Sequence, residues 1–272
     1  MAATRAFDLL LAPSWQASEM ERPGAVVLPV TGAAILIAIW GFASLHYDVT
    51  ILPSPGQALE EGIDLLAGGE LIFHALASLQ RLLIGFLIGC AIAVPIGFGM
   101  GLSPFFRRMM EPITEFFRYI PAIAMVVFAL IWFGIGEASK VFLIFYNTFF
   151  SVALATEAGV KHISQVRIDA VRSLGANRRQ VLQFVVVPSV VPYAIQGMRM
   201  GMGRAFATIV SAEILAANSG LGFLIFSSRE FSRMDTVIVA IAVLGVLGIV
   251  IDRLFRRMTR MVGGNYLPSE MG

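Results

Sequence analysis

Apolar and polar residues fall in long blocks along this chain rather than alternating singly. Apolar runs occupy residues 25–45, 72–101, 113–133, 141–160, 181–210 and 236–251, separated by short polar segments. A bilayer core of about 30 Å takes roughly 20 apolar helical residues per crossing. Because a spanning segment must satisfy its own backbone, the pattern predicts an all-α, polytopic membrane protein with about six transmembrane helices. Between the crossings lie an acidic segment at 46–71, Arg107 and Arg108, a polar turn at 134–140, a basic loop at 161–180, an irregular stretch at 211–234, and the arginines 253, 256, 257 and 260. Leu52-Pro53-Ser54-Pro55 and the pair Pro188 and Pro192 interrupt hydrogen-bond ladders. Gly85/Gly89, Gly97/Gly101 and Gly197/Gly201 have the spacing that lets helix backbones approach closely, and predict tight packing within one bundle.

Composition narrows the class. The 272 residues are 57% hydrophobic and 14% charged, with a mean hydropathy of +0.81, too little polar surface to cover a soluble globule. The formal charge of +2, without a basic run, argues against nucleic acid as a partner. Cys90 is the single cysteine and lies in an apolar run, so it reads as packing and no intramolecular disulfide can form. His46, His74 and His162 are scattered, and neither H-E-x-x-H nor G-x-S-x-G occurs, so no catalytic or metal residues are assigned.

Charge then sets orientation. Residues 46–71 hold Asp48, Glu60, Glu61, Asp64 and Glu70 without one Lys or Arg, whereas the basic segments gather at alternate ends of the crossings. Short Lys/Arg-rich loops stay cytoplasmic, so both termini and the 161–180 loop are expected inside. Residues 1–24 contain Asp8, Glu19 and Glu21 and read as a cytoplasmic tail rather than a signal peptide. The expected organisation is that tail, a transmembrane domain over 25–256, and a second cytoplasmic tail over 257–272.

The 161–188 loop is longer than a simple connection requires. Residues 164–174 predict a short amphipathic helix with Val166, Ala170 and Leu174 on one face. Gly175 suits the left-handed position that ends it, and Asn177 with Gln180 makes a capping box for the next helix. Such a helix is built either to be offered to another protein or to lie on lipid headgroups.

Here the sequence resembles a known family. Asp169-Ala-Val-Arg-Ser-Leu-Gly175, nine further residues and Val185-Val-Val-Pro188 are similar to the EAA loop of bacterial ABC importer permeases, with Asp169 where the family has Glu and Val171 where it has Ala. A wider set resembles one branch, the permeases for nitrate, taurine, other sulfonates and bicarbonate. It comprises Leu52-Pro-Ser-Pro55, Ala77-Ser-Leu-Gln-Arg81 with Gly85-Phe86, Arg118-Tyr-Ile-Pro121, Trp132-Phe-Gly-Ile-Gly-Glu137 with Lys140, Leu174-Gly-Ala176, Gly197-Met-Arg199, Glu213 and Ser219-Gly-Leu-Gly222. Val127-Phe-Ala-Leu130 stands where that branch usually has a proline-leucine pair, a departure that bears on the lining of the pathway.

The resemblance implies a MetI-like, type I importer permease fold in the bacterial inner membrane. It implies a second permease copy, two ATP-binding subunits and an extracytoplasmic substrate-binding protein as partners. Asp169, Ala170, Ser173, Leu174, Gly175, Ala176 and Pro188 would couple the chain to the ATPase. The chain has no G-x-x-x-x-G-K-[ST], so ATP and Mg would belong to that partner and no cofactor to this chain. Ionisable groups inside a membrane are costly and mark functional candidates. Arg81, Arg118, Arg199 and Glu213 are the candidate pathway residues, with Arg204 a further intramembrane arginine. They either face a small anion or pair with Glu115, Glu157 and Glu213. An ion-gradient-driven secondary transporter is the competing reading, though no intramembrane acidic chain suited to proton or sodium coupling is present. A membrane-embedded hydrolase, the other class, lacks its nucleophile and base.

Overall fold

The computed structural model describes residues 27–263, so the expected tail over 1–24 and the end of the chain lie outside the described residues. All the described regular structure is helical. The chain divides into two compact units between Glu60 and Glu61. In the first, α1 (Val27–Ser44) is followed by a turn in which Asp48 accepts from the amide and hydroxyl of Thr50, at 2.9 and 2.8 Å. Trp40 donates its indole N–H to the Pro53 carbonyl at 3.0 Å, and Pro55 opens α2 (Pro55–Ala67) at a position where a missing N–H costs nothing.

The second unit is a bundle around α3 (Glu70–Leu102), α6 (Glu137–Lys161), α9 (Val187–Ala216) and α11 (Met234–Gly263). Leu82, Phe86, Cys90 and Ala93 of α3 meet Ile144, Val152 and Ala153 of α6, Met202, Ala205 and Ile209 of α9, and Ile251 of α11 in one core. Glycine sets how close these helices lie. A Cβ at Gly85 would come within 2.7 Å of Ile144, one at Gly89 within 2.9 Å of Thr148, and those at Gly97 and Gly101 would collide with Ala153 and Val160. The partner numbers rise together, so α3 and α6 run parallel. Gly197 faces Ala155, and Gly201 faces Thr148, so α9 runs antiparallel to α6. All three glycine pairs are therefore packing devices, as the spacing predicted.

Among the described residues, four helical segments are long and apolar enough to cross a membrane unaided: Glu70–Leu102, Glu137–Lys161, Arg178–Leu215 and Met234–Thr259; Val30–Ser44 is a shorter apolar helix. The expected crossing at 113–133 is not one helix. It comprises α4 (Pro104–Arg118) and α5 (Val126–Phe133), with residues 119–125 non-helical between them. Pro121 cannot donate and biases Ile120 away from the helical region, which breaks the ladder here. The break is held by short turns, with Ala124 N donating to Pro121 O at 2.9 Å, and by the Tyr146 hydroxyl, which donates to the carbonyls of Phe117 (2.5 Å) and Ile120 (3.3 Å).

Two other expectations shift. The polar turn is confined to 134–136, because Glu137 already begins α6 and Lys140 is a buried helical residue. Within the stretch expected to be irregular, Leu221–Glu230 forms α10. The fifth crossing contains a defect: α8 (Arg178–Val181) leads into a π-helical segment, Leu182–Val186, directly before α9. Pro188 has no N–H to give to the preceding turn, and a π-turn is one way the ladder absorbs that loss.

Candidate functional site

Two places concentrate the predicted residues, at opposite ends of the bundle. At the end where α6 finishes, α7 (Gln165–Ser173) lies over the start of the fifth crossing. Its Ile168 and Val171 pack with Phe98, Val160, Ile163 and Ala176 on a small core of Val181, Val186 and Val190. The opposite face is the one predicted from the sequence: Ala170 is exposed, and Val166 and Leu174 are 77% and 88% exposed. Apolar side chains so open on an ordered helix are unsatisfied surface.

Both ends of the turn are locked. Gly175 adopts φ 87°, its N–H donates to Arg172 O at 2.9 Å, and Ala176 N–H reaches back to Val171 O at 3.3 Å, which is the Schellman arrangement. Asn177 Oδ1 then accepts from Gln180 N–H at 3.0 Å while Gln180 Oε1 accepts from Asn177 N–H at 2.8 Å, the reciprocal capping box expected. Asp169 stays at the surface, accepting from Gln165 at 3.1 Å, and its backbone carbonyl takes the Ser173 hydroxyl at 2.9 Å. Asp169, Ala170, Ser173, Leu174 and Gly175 thus form one continuous exposed turn, whereas Ala176 is half-buried against the core beneath. Pro188 does not join them. It lines a groove of ≈ 610 Å³ beneath, with His162, Arg167, Phe184 and Tyr193.

At the other end, Arg81 is buried at 5% exposure and all its donors are engaged. It donates to both Glu137 oxygens (2.5 and 2.8 Å), to Glu213 (2.8 Å), and to the carbonyl and hydroxyl of Ser219 (2.6 and 2.7 Å). Glu213 has no exposed surface and also accepts from Ser78 (2.8 and 2.9 Å) and Gly222 N–H (2.9 Å). Lys140 donates to Glu137 at 2.9 Å. Gly220 N–H goes to His74 and Leu221 N–H to Ser78, so the cluster stitches the 217–222 turn onto α3. Gly220 adopts φ 113°, and a Cβ there would run into the Glu213 carboxylate.

Of the four candidate pathway residues, then, the fold brings only Arg81 and Glu213 together, in a closed structural cluster. Arg118 lies elsewhere, exposed, paired with Glu115 at 3.3 Å and lying over the Tyr119 ring at 4.7 Å. Arg199 pairs with Asp252 at 3.2 Å, which Arg256 shares at 2.9 Å. Among the anticipated carboxylates Glu115 and Glu213 do take arginines, while Glu157 takes Lys161. Glu137 and Asp252 are partners the sequence reading missed. Asp252 is the lone acid in a basic helix end, a visible signal. Among the described residues no group of three or more His, Cys, Asp or Glu is placed to hold a metal.

The family model for the binding-protein-dependent transport system inner membrane component matches residues 85–263. The taurine transport system permease protein TauC of Escherichia coli is 38% identical over 86% of this chain and 88% of its own length. The putative aliphatic sulfonates transport permease protein SsuC of Escherichia coli is 33% identical over 80% of this chain and 83% of its own. The fold is similar to a chain of the inward-facing MetNI methionine ABC transporter, with a TM-score of 0.57 at 18% identity, covering 70% of this chain and 97% of that one.

Proposed function

The chain belongs to the family of binding-protein-dependent transport system inner membrane components, and on that premise we propose that it carries a small sulfonate-like anion and couples to its ATPase through α7. It is a multi-pass inner-membrane permease subunit of an ABC importer, with the MetI-like fold, rather than an ion-gradient-driven transporter.

The coupling assignment rests on one observation: α7 presents Val166, Ala170 and Leu174 outward while being fixed at both ends. A helix that is rigid and apolar outward suits insertion into a groove on another protein. In this reading Asp169, Ala170, Ser173, Leu174, Gly175 and Ala176 make the contact, and Pro188 sets the angle of the helix that carries it. The partners are two ATP-binding subunits, which hold ATP and Mg, a second permease copy and an extracytoplasmic binding protein. The chain itself then needs no cofactor and performs no hydrolysis. Both termini and α7 lie in the cytoplasm, a placement supported by the arginine bias. The taurine and sulfonate relatives support the cargo class, as does the surplus of intramembrane arginine.

Co-purification tests the coupling. Leu174→Asp places a charge on the exposed face without touching the core beneath, so it leaves the permease folded and strips off the ATP-binding subunit. Retention of that subunit at the wild-type ratio overturns the assignment. Uptake of radiolabelled taurine by vesicles, dependent on ATP and insensitive to an uncoupler, tests the cargo.

A further inference from the structure

Arg204 is the intramembrane arginine that neither the closed cluster nor any ion pair absorbs. It is exposed on α9, and its guanidinium has no partner among the described residues. At 1.5 Å per residue it sits about 25 Å along α9 from Val187 and about 18 Å from Ala216. It therefore lies well inside the helix, and a bare charge facing lipid at the centre of a crossing costs about 2.5–3.5 kcal/mol. The face around it is open: a Cβ on Gly203 would meet nothing, and Met200 and Ala207 are exposed.

A second observation concerns the same level. Asn147 donates to the Arg204 carbonyl at 3.4 Å and to Thr208 at 2.6 Å, while its neighbour Tyr146 holds the broken backbone at Phe117 and Ile120. The break at 119–125 leaves Tyr119, Pro121, Ile123 and Ala124 exposed in the middle of a crossing. Non-helical backbone survives at membrane depth only against protein or a water-filled cavity. A free cation and an open backbone therefore share one depth in the bundle.

We propose that Arg204 is the specificity-determining contact of this permease, the cation that receives the transported oxyanion midway through the membrane. This rests on the anion reading above and gives that reading a residue. A guanidinium offers paired donors that match two oxygens of a sulfonate or another oxyanion. Arg81 and Arg199 cannot serve in the same way, because carboxylates already occupy them.

The test uses the complete importer in proteoliposomes, with binding protein outside and ATP at the nucleotide sites. Radiolabelled taurine is the probe, with nitrate and bicarbonate as second and third probes. Arg204→Gln lowers taurine moved per ATP hydrolysed about tenfold, the scale of one lost charged hydrogen bond, and Arg204→Lys recovers most of it. In a Cys90→Ser background, the thiol introduced by Arg204→Cys reacts with the membrane-impermeant reagent 2-sulfonatoethyl methanethiosulfonate, as a side chain open to the pathway must. Unchanged taurine per ATP in Arg204→Gln, or a thiol that does not react, overturns the proposal while leaving the cargo class intact. Loss of assembled complex in both Arg204→Gln and Arg204→Lys overturns it in favour of a carboxylate from the second permease copy. A wild-type importer that moves none of the three anions removes the cargo reading, and this proposal with it.

Discussion

Gly175 and Gly220 both hold a positive φ, each beside one of the two residue clusters, and they do so for different reasons. Around Gly175 there is open space, so only backbone conformation excludes a side chain. Around Gly220 the missing Cβ is filled by the Glu213 carboxylate, which in turn is tied to Arg81, Ser78 and Gly222. One end of the bundle thus keeps its polar groups mutually satisfied. The other leaves apolar side chains uncovered and spends its hydrogen bonds on fixing a turn. The satisfied cluster holds helices of the permease to one another, whereas the exposed turn is fixed without being covered.

The contrast is sharpest under substitution. Glu213→Ala leaves Arg81 buried with one carboxylate fewer and is expected to cost about 3–5 kcal/mol, seen as lost yield and a lower Tm in detergent. An Arg81→Met, Glu213→Leu double variant recovers part of that loss, because the stranded charge is gone. Gly220→Ala comes next, at about 1–3 kcal/mol, since it adds a collision to an unfavourable φ. Gly175→Ala is the smallest, at about 1 kcal/mol and a Tm loss of about 2–4 °C, because only the backbone conformation and no collision opposes it. Equal Tm losses for the two glycine variants would break the comparison.

Much of this was legible in the sequence where the signal is local. The amphipathic spacing of Val166, Ala170 and Leu174, the left-handed turn at Gly175 and the box from Asn177 to Gln180 depend on neighbours a few residues apart. The small-residue spacing on α3 and α9 was equally local. Pairings across the bundle were not. Glu137 reaches Arg81 over a separation of 56 residues and Asp252 reaches Arg199 over 53, and no periodicity encodes which acid meets which base. The break at 119–125 was hidden for another reason. Its residues are nearly all apolar, so hydropathy joined two short helices across Pro121.

The π-helical segment Leu182–Val186 carries a consequence for how this chain tolerates change. A helix turns about 100° per residue, so a wide turn amounts to one surplus residue held in place. Removing one residue from that segment would close the wide turn into an ordinary α-helical one and leave α7 facing nearly as before. A residue added there has no such slack to draw on and would turn α7 by about 100° around the axis of the fifth crossing. The segment therefore tolerates a deletion where an insertion would be felt along the whole loop.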